Sequence, residues 1–214
     1  MKTMIISGGN IEFDFALDFI LKQKADCLIA ADRGIEFMDR SGMVPDWIVG
    51  DFDSGSREAL ERFKKKGVPV RAFKPQKDST DTEIAVQLAL EAGSTEMILL
   101  GATGSRLDHV LGSIRNLSIP MRAGVPCFLV DAHNRIRMTE KPVILRKDEQ
   151  YGKYVSVLAH GGTVEDLTLK GFFYPLNRYT MTADDAIGIS NEIVEEQAEI
   201  LFGKGCVLVI ESKD

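Results

Sequence analysis

The stretch DWIVGDFDSGSREAL, Asp46 to Leu60, carries an apolar run straight into two carboxylates, Asp51 and Asp53, one residue apart. In an extended chain, positions two apart share a face, so two anions there repel unless something neutralises them. A hard cation with oxygen ligands is one such partner. Further acids stand in glycine-rich or turn-rich stretches: Asp32 in AADRG, Asp78 and Asp81 in KPQKDSTDTE, and Asp108 in GATGSRLDH, with Lys77 and Arg106 among them. Acids that hold a metal, cations that meet phosphate oxygens and glycines that let backbone N–H groups approach closely are together the equipment of a metal-polyphosphate site.

The elements that must position these residues follow an alternating pattern. As far as about Asp131, short β-branched runs alternate with helical periodicities: TMIIS, a helix over 11–23, CLIAAD, a helix over 34–41, DWIVG, a helix over 56–66, VPVRAF, a helix over 80–92, EMILLGA, a helix over 106–122, and PCFLVD. In the last helix Leu107, Val110, Leu111, Ile114 and Leu117 share a face. This predicts an α/β domain with a mostly parallel sheet over residues 1–131. Beyond it, RIRMTE, YVSVLAH, VEDLTLKGF and CVLVIES are strand-like and separated by turn residues, which predicts a small all-β sandwich domain over 132–214. In open α/β sheets the binding crevice lies beyond the carboxyl ends of the strands. The loops after the first five strands, ISGGN, AADRG, GDFDSGS, KPQKDSTDTE and GATGSRLDH, are where the unusual residues collect.

Each of these pieces also has a purely structural reading. Gly8 and Gly9 suit a tight turn as well as a phosphate approach. Thr80 and Glu83 fit a helix capping box, with Asp81 in the favourable first turn, and a helix start is itself an anion site. GATGSRLDH lacks the Lys-Ser/Thr ending of a phosphate-binding P-loop and does not fit the spacing of a dinucleotide fingerprint. Arg106 and Asp108 suit an exposed surface, and His109 a structural hydrogen bond.

Composition narrows the function classes. The chain has 214 residues, 44% hydrophobic and 27% charged, and a formal net charge of -6, which disfavours nonspecific contact with nucleic acid. No apolar run approaches the ~18 residues of a membrane span, and MKTMIISGGN leaves no room for the apolar segment of an export signal. A cytoplasmic protein is expected, with Cys27, Cys127 and Cys206 as reduced core residues, since they are widely spaced and form no CxxC pair.

The ordered set GDFDS, KDSTDTE and GATGSRLDH, followed by GFFYPLN and GISNE, resembles the thiamine pyrophosphokinase family over nearly the whole chain. One departure is Ser105, where the family often has a second glycine. The resemblance implies transfer of the diphosphate of ATP to the hydroxyl of thiamine, giving thiamine diphosphate and AMP. It further implies a homodimer with active sites between subunits. Under this reading Asp51, Asp53 and Asp81 are the Mg²⁺ cluster, and Asp108 supports the metal, the nucleotide or Arg106. Lys77 and Arg106 meet phosphate, and Gly8, Gly9, Asp32, Gly101, Thr103 and Gly104 line the nucleotide side. Asp81 or Asp78 accepts the hydroxyl proton. Ser190 and Asn191 lie on the thiamine side, where Phe172, Phe173 and Tyr174 suit either core or ligand wall. Two other classes compete. GDFDS also resembles the DxD loop of haloacid-dehalogenase-type phosphatases, with TADDA as a later acidic pair, and a non-catalytic nucleotide sensor would share the binding residues.

Overall fold

The computed structural model describes residues 1–51, 56–72 and 80–214. The chain divides into two compact units, Met1–Ala132 and His133–Asp214. The first contains strands β1 (Lys2–Ile6), β2 (Cys27–Ala31), β3 (Trp47–Gly50), β4 (Val70–Ala72), β5 (Glu96–Leu100) and β6 (Cys127–Val130). Its helices are α1 (Phe13–Gln23), α2 (Gly34–Ser41), α3 (Arg57–Lys65), α4 (Asp81–Glu91), α5 (Leu107–Asn116) and α6 (Ser118–Arg122). The strands pair in the order β6-β5-β1-β2-β3-β4, every pairing parallel. Parallel strands covered on both faces need continuous apolar runs, and Met4, Ile5, Ile6, Ile29, Ala30, Ala31, Ile48 and Val49 are all fully buried.

That strand order has a functional consequence. From β1 the sheet grows outward through β2, β3 and β4, and β5 then returns to the other side of β1. The reversal between β1 and β5 leaves the loops beyond their carboxyl ends diverging, which opens a crevice there.

The segment expected as one helix over 106–122 is two helices. Pro120 has no N–H to return to the carbonyl of Asn116, so the α-helical ladder stops and restarts around Leu117. Its apolar face is also only partly internal: Leu117 is 1% exposed, but Leu107 and Leu111 are 74% and 57% exposed. Ser56 and Thr80 cap their helices as their residue types suggest, Ser56 Oγ accepting from Ala59 N at 3.3 Å and Thr80 Oγ1 from Glu83 N at 3.2 Å. Cys27 and Cys127 are buried free thiols, and burial pushes both thiols above their ordinary range. Cys206 is half-buried.

The second unit is antiparallel throughout. Strands β7 (Asn134–Thr139), β8 (Val143–Arg146), β9 (Tyr154–Ala159), β10 (Val164–Lys170), β11 (Leu176–Met181), β12 (Asn191–Glu192), β13 (Gln197–Leu201) and β14 (Val207–Ser212) form two sheets, β12-β9-β14-β7 and β11-β10-β13-β8. Period-two patterning explains the packing. Val143 and Leu145, Val155 and Val157, Leu167 and Leu169, Ala198 and Ile200, and Val207 and Val209 each point inward from one strand into a shared core. Glu211, only 2% exposed, is held by a two-bond Arg135 pair at 2.8 and 2.7 Å and by Tyr151 N at 3.0 Å. No helix among the described residues is long and apolar enough to cross a membrane.

Candidate active site

A cavity of about 530 Å³ lies at the β1/β5 reversal, lined by residues that follow each of the strands β1 to β5. The loop after β1 contributes Gly8 and Gly9, and that after β2 contributes Asp32. Asp51 follows β3, and Thr80, Asp81 and Thr82 begin α4. The loop after β5 adds Gly101, Thr103, Gly104 and Arg106.

The β1 and β5 loops are bonded into one floor. Ser7 N donates to Leu100 O at 2.8 Å, Gly9 N to Gly101 O at 2.7 Å and Asn10 N to Thr103 O at 2.8 Å. A Cβ on Gly9 would sit 2.3 Å from Thr103 O and 2.4 Å from Gly101 O, so glycine is required there by the approach of the neighbouring loop. The Gly9 N–H is therefore already engaged, and the reading in which it reaches a phosphate gives way to a packing role. Gly101 has a second reason to be glycine, since its φ of 66° lies in the left-handed region and a Cβ would meet Ser7 O at 2.5 Å. Asp32 also adopts a left-handed φ of 50°, which aspartate tolerates better than most residues, and its N–H is tied to Val49 O at 2.9 Å.

The start of α4 is fastened to this floor by a pair the sequence reading missed. Thr82 Oγ1 donates to Ser7 Oγ at 3.0 Å, and Ser7 is 2% exposed. Asn10, Arg33, His109 and Ser113 also line the cavity. Thr82 lies within STDTE and Asn10 within SGGN, so their neighbourhood was visible, but a hydroxyl in a capping motif gives no sequence signal of which loop it will meet.

Arg106 carries a two-bond pair with Asp108, at 3.2 and 2.6 Å, and Asp108 also accepts from His109 N at 3.0 Å. The guanidinium, together with the His109 N–H, lowers the Asp108 carboxyl from 3.8 to about 2. Asp108 itself is not among the residues lining the cavity, so its visible partner is Arg106. Asp53, Lys77 and Asp78 lie outside the described residues. Ser190 and Asn191 belong to the second unit, where Ser190 N donates to Ser156 Oγ at 3.0 Å and Asn191 is 3% exposed. Of the three aromatic residues, Phe172 is core and Phe173 and Tyr174 are exposed.

Among the described residues, no three carboxylate, imidazole or thiolate groups stand together as a metal cage. The donor chemistry nevertheless suits Mg²⁺. Asp51 and Asp81 both line the cavity, and this ion is ordinarily held by one or two carboxylates while water and substrate phosphates complete its oxygen shell.

Comparison with known proteins places the chain. Residues 20–129 match the family model described as thiamin pyrophosphokinase, catalytic domain, and residues 142–207 match that described as thiamin pyrophosphokinase, vitamin B1 binding domain. Thiamine pyrophosphokinase of Bacillus subtilis (strain 168) is 31% identical over 186 residues, 87% of each chain. Crystal structures of thiamine pyrophosphokinase from Bacillus subtilis (TM-score 0.89, 29% identity, all of both chains) and from Geobacillus thermodenitrificans (TM-score 0.86, 28% identity, 100% of this chain and 98% of that one) superpose on it. The yeast enzyme shares the fold at 16% identity, with a TM-score of 0.82 over 99% of this chain and 86% of that one. The chain belongs to the thiamine pyrophosphokinase family.

Proposed function

We propose that the cavity at the β1/β5 reversal is where the chain transfers the diphosphate of ATP to thiamine, giving thiamine diphosphate and AMP. The observation that carries this reading is the convergence of Asp32, Asp51, Asp81, Thr103 and Arg106, from four strand ends, on one cavity. Family membership removes the phosphatase alternative, and Asp184, the candidate for its later acidic pair, falls in the β unit.

The thiamine hydroxyl oxygen forms a bond to the β-phosphorus as the bond from that phosphorus to the oxygen of AMP breaks, and the hydroxyl proton passes to a carboxylate. Such a transfer depends on positioning and on neutralising charge more than on covalent help from the protein. Asp51, Asp53 and Asp81 are the proposed holders of Mg²⁺, which when bound neutralises charge on the polyphosphate. Arg106, paired with Asp108, and Lys77 are proposed to contact phosphate oxygens. The bonded floor of Gly8, Gly9, Gly101, Thr103 and Gly104, with Asp32, is proposed to line the nucleotide side, and Asp81 or Asp78 to accept the proton. The β unit, with Ser190 and Asn191, is proposed to carry the thiamine side.

A homodimer with sites shared between chains completes the proposal. Its support is the outward apolar face of α5, where Leu107 directly follows the cavity residue Arg106 and Leu111 lies one turn further on. Two large leucines more than half exposed beside a site suit burial against a second copy. A cytoplasmic location belongs to the same reading.

The test is to incubate the purified protein with ATP, Mg²⁺ and thiamine. AMP should accumulate one for one with thiamine diphosphate and depend on both thiamine and the metal. ADP or inorganic phosphate as the main product would contradict it, and tight ATP binding without AMP would favour a sensor.

A further inference from the structure

The cavity holds a second arginine that the sequence reading passed over. Arg33, in AADRG, comes just after β2 and lines the cavity beside Asp32. Its backbone is held against the end of β1. A Cβ on Gly8 would stand 3.0 Å from Arg33 Cβ and 3.1 Å from Arg33 N, and one on Gly34 would stand 1.9 Å from Ile6 O, so these two glycines let the start of α2 close onto β1. Arg33 is therefore rooted at the edge of the floor that the β1 and β5 loops form.

The two arginines of the cavity differ in how firmly they are held. Arg106 has its two-bond pair with Asp108, the shorter bond 2.6 Å. Arg33 Nη2 reaches Glu36 Oε2, one turn along α2, at 3.4 Å, and its side chain is 55% exposed. A single long contact between exposed groups contributes little, so little is lost when the Arg33 guanidinium turns from Glu36 to an anion. Its planar fork of N–H donors matches phosphate oxygens.

Strand order indicates which part of a polyphosphate it meets. The floor proposed for the nucleotide belongs to β5 and β1, Arg33 follows β2, Asp51 follows β3, and Asp81 comes after β4. A row of phosphates leading from the floor to Asp51 and Asp81 passes the end of β2 midway, where the nucleoside's own phosphate joins the diphosphate to be transferred. Resting on the proposed transfer from ATP, we infer that Arg33 is a phosphate-binding residue whose guanidinium leaves Glu36 and holds the phosphate that AMP keeps. When the bond from the β-phosphorus to the bridging oxygen breaks, that oxygen takes the electron pair and stays on AMP. Arg33 donates N–H groups to this phosphate and offsets the negative charge that gathers there, so it serves both nucleotide binding and the departure of AMP.

The test measures binding of AMP by calorimetry, binding of adenosine as a competitor of AMP, and AMP release at varied ATP and thiamine. The proteins are wild type, Arg33→Gln, Arg33→Lys and Glu36→Gln, with Tm as the check on folding. Arg33→Gln should weaken AMP at least about tenfold and leave adenosine, which has no phosphate, unchanged. Its kcat/KM for ATP should fall by at least the same factor, with the KM for thiamine unchanged. Arg33→Lys keeps the charge without the fork and should recover part of the AMP binding; if Arg33→Gln does not fold, Arg33→Lys carries the comparison with a smaller loss. Glu36→Gln, which frees the guanidinium, should bind AMP as tightly as wild type or up to about twofold tighter. If the Arg33–Glu36 pair merely steadies α2, Glu36→Gln and Arg33→Gln should weaken AMP alike, and that result overturns the inference. Wild-type AMP affinity in Arg33→Gln, or an equal loss for AMP and adenosine, also overturns it while leaving the proposed reaction standing. Wild-type protein that binds no adenine nucleotide and releases no AMP overturns both.

Discussion

The two units use polar residues in opposite ways. In the α/β unit, Asp32, Asp51 and Asp81 end strands or begin helices around an open cavity. In the β unit, Asn191 is buried and its amide is bonded to main chain on both sides, while the exposed groups beside it are aromatic. The difference follows from architecture. A parallel sheet whose strand order reverses leaves its carboxyl-end loops diverging, so polar side chains there face a crevice. An antiparallel sandwich closes its connections tightly, and a polar side chain on a strand beside such a connection is drawn into satisfying backbone groups that would otherwise be buried without partners.

The sharpest way to break this comparison is to remove single charges from the crevice. Asp51→Asn and Asp81→Asn should each reduce AMP release on the order of a hundredfold or more, with unchanged far-ultraviolet circular dichroism and no loss in Tm. A variant that keeps near-normal turnover at saturating Mg²⁺ would take that residue out of the proposed metal set. A fall in Tm comparable to that of a core substitution would give these carboxylates the internal role reserved here for Asn191.

A second experiment asks whether the two kinds of residue meet across chains. Asp81→Asn and Asn191→Ala protomers carrying different tags are co-expressed, and the doubly tagged dimer is assayed at thiamine well below its KM. Two-fold symmetry then leaves one site of the two built from undamaged halves, so about half the wild-type activity is expected. If each site lies within one chain, the mixed dimer should retain no more than about half the residual activity of the Asn191→Ala parent.

The smallest effect belongs to Asp108. Its carboxyl sits below the ordinary value of 3.8, at about 2, chiefly because of the bonds from Arg106. A lowered folded-state value means that the stabilising contribution is fully present above the ordinary value and is lost as pH falls through about 2. Both partners are largely solvent-exposed, so Asp108→Asn should leave Tm nearly unchanged. Carbon NMR of the Asp108 carboxyl should give a midpoint near 2, and a midpoint near 3.8 would show that the pair does not hold Arg106.

Much of the frame was legible because local rules and tertiary packing agree. The helix Gly34–Ser41 matches its expected bounds, and its end coincides with Gly42, whose left-handed φ of 73° stops it. The period-two residues of the β unit became its core for the same reason that alternation predicts a half-buried strand. The candidate acids and glycines of the first unit were legible as strand-end residues, and those that the structure describes line the cavity, with Asp108 set apart beside Arg106.

What local pattern could not carry was partnership. The sequence by itself determined the strands of the first unit and β7, β9, β10 and β14 of the second, where glycines and caps interrupt them, and which residue types stand at the strand ends, because these depend on neighbours a few positions away. Only the tertiary structure decided that β5 lies beside β1, that the Gly9 N–H is taken by Gly101, that Thr82 meets Ser7, that the Leu107 and Leu111 side of α5 faces outward, and that Asn191 clamps Tyr174. Each of these depends on a group brought in from a distant or separately folded segment, and a hydrogen-bonding or apolar side chain carries no local mark of the partner it will find.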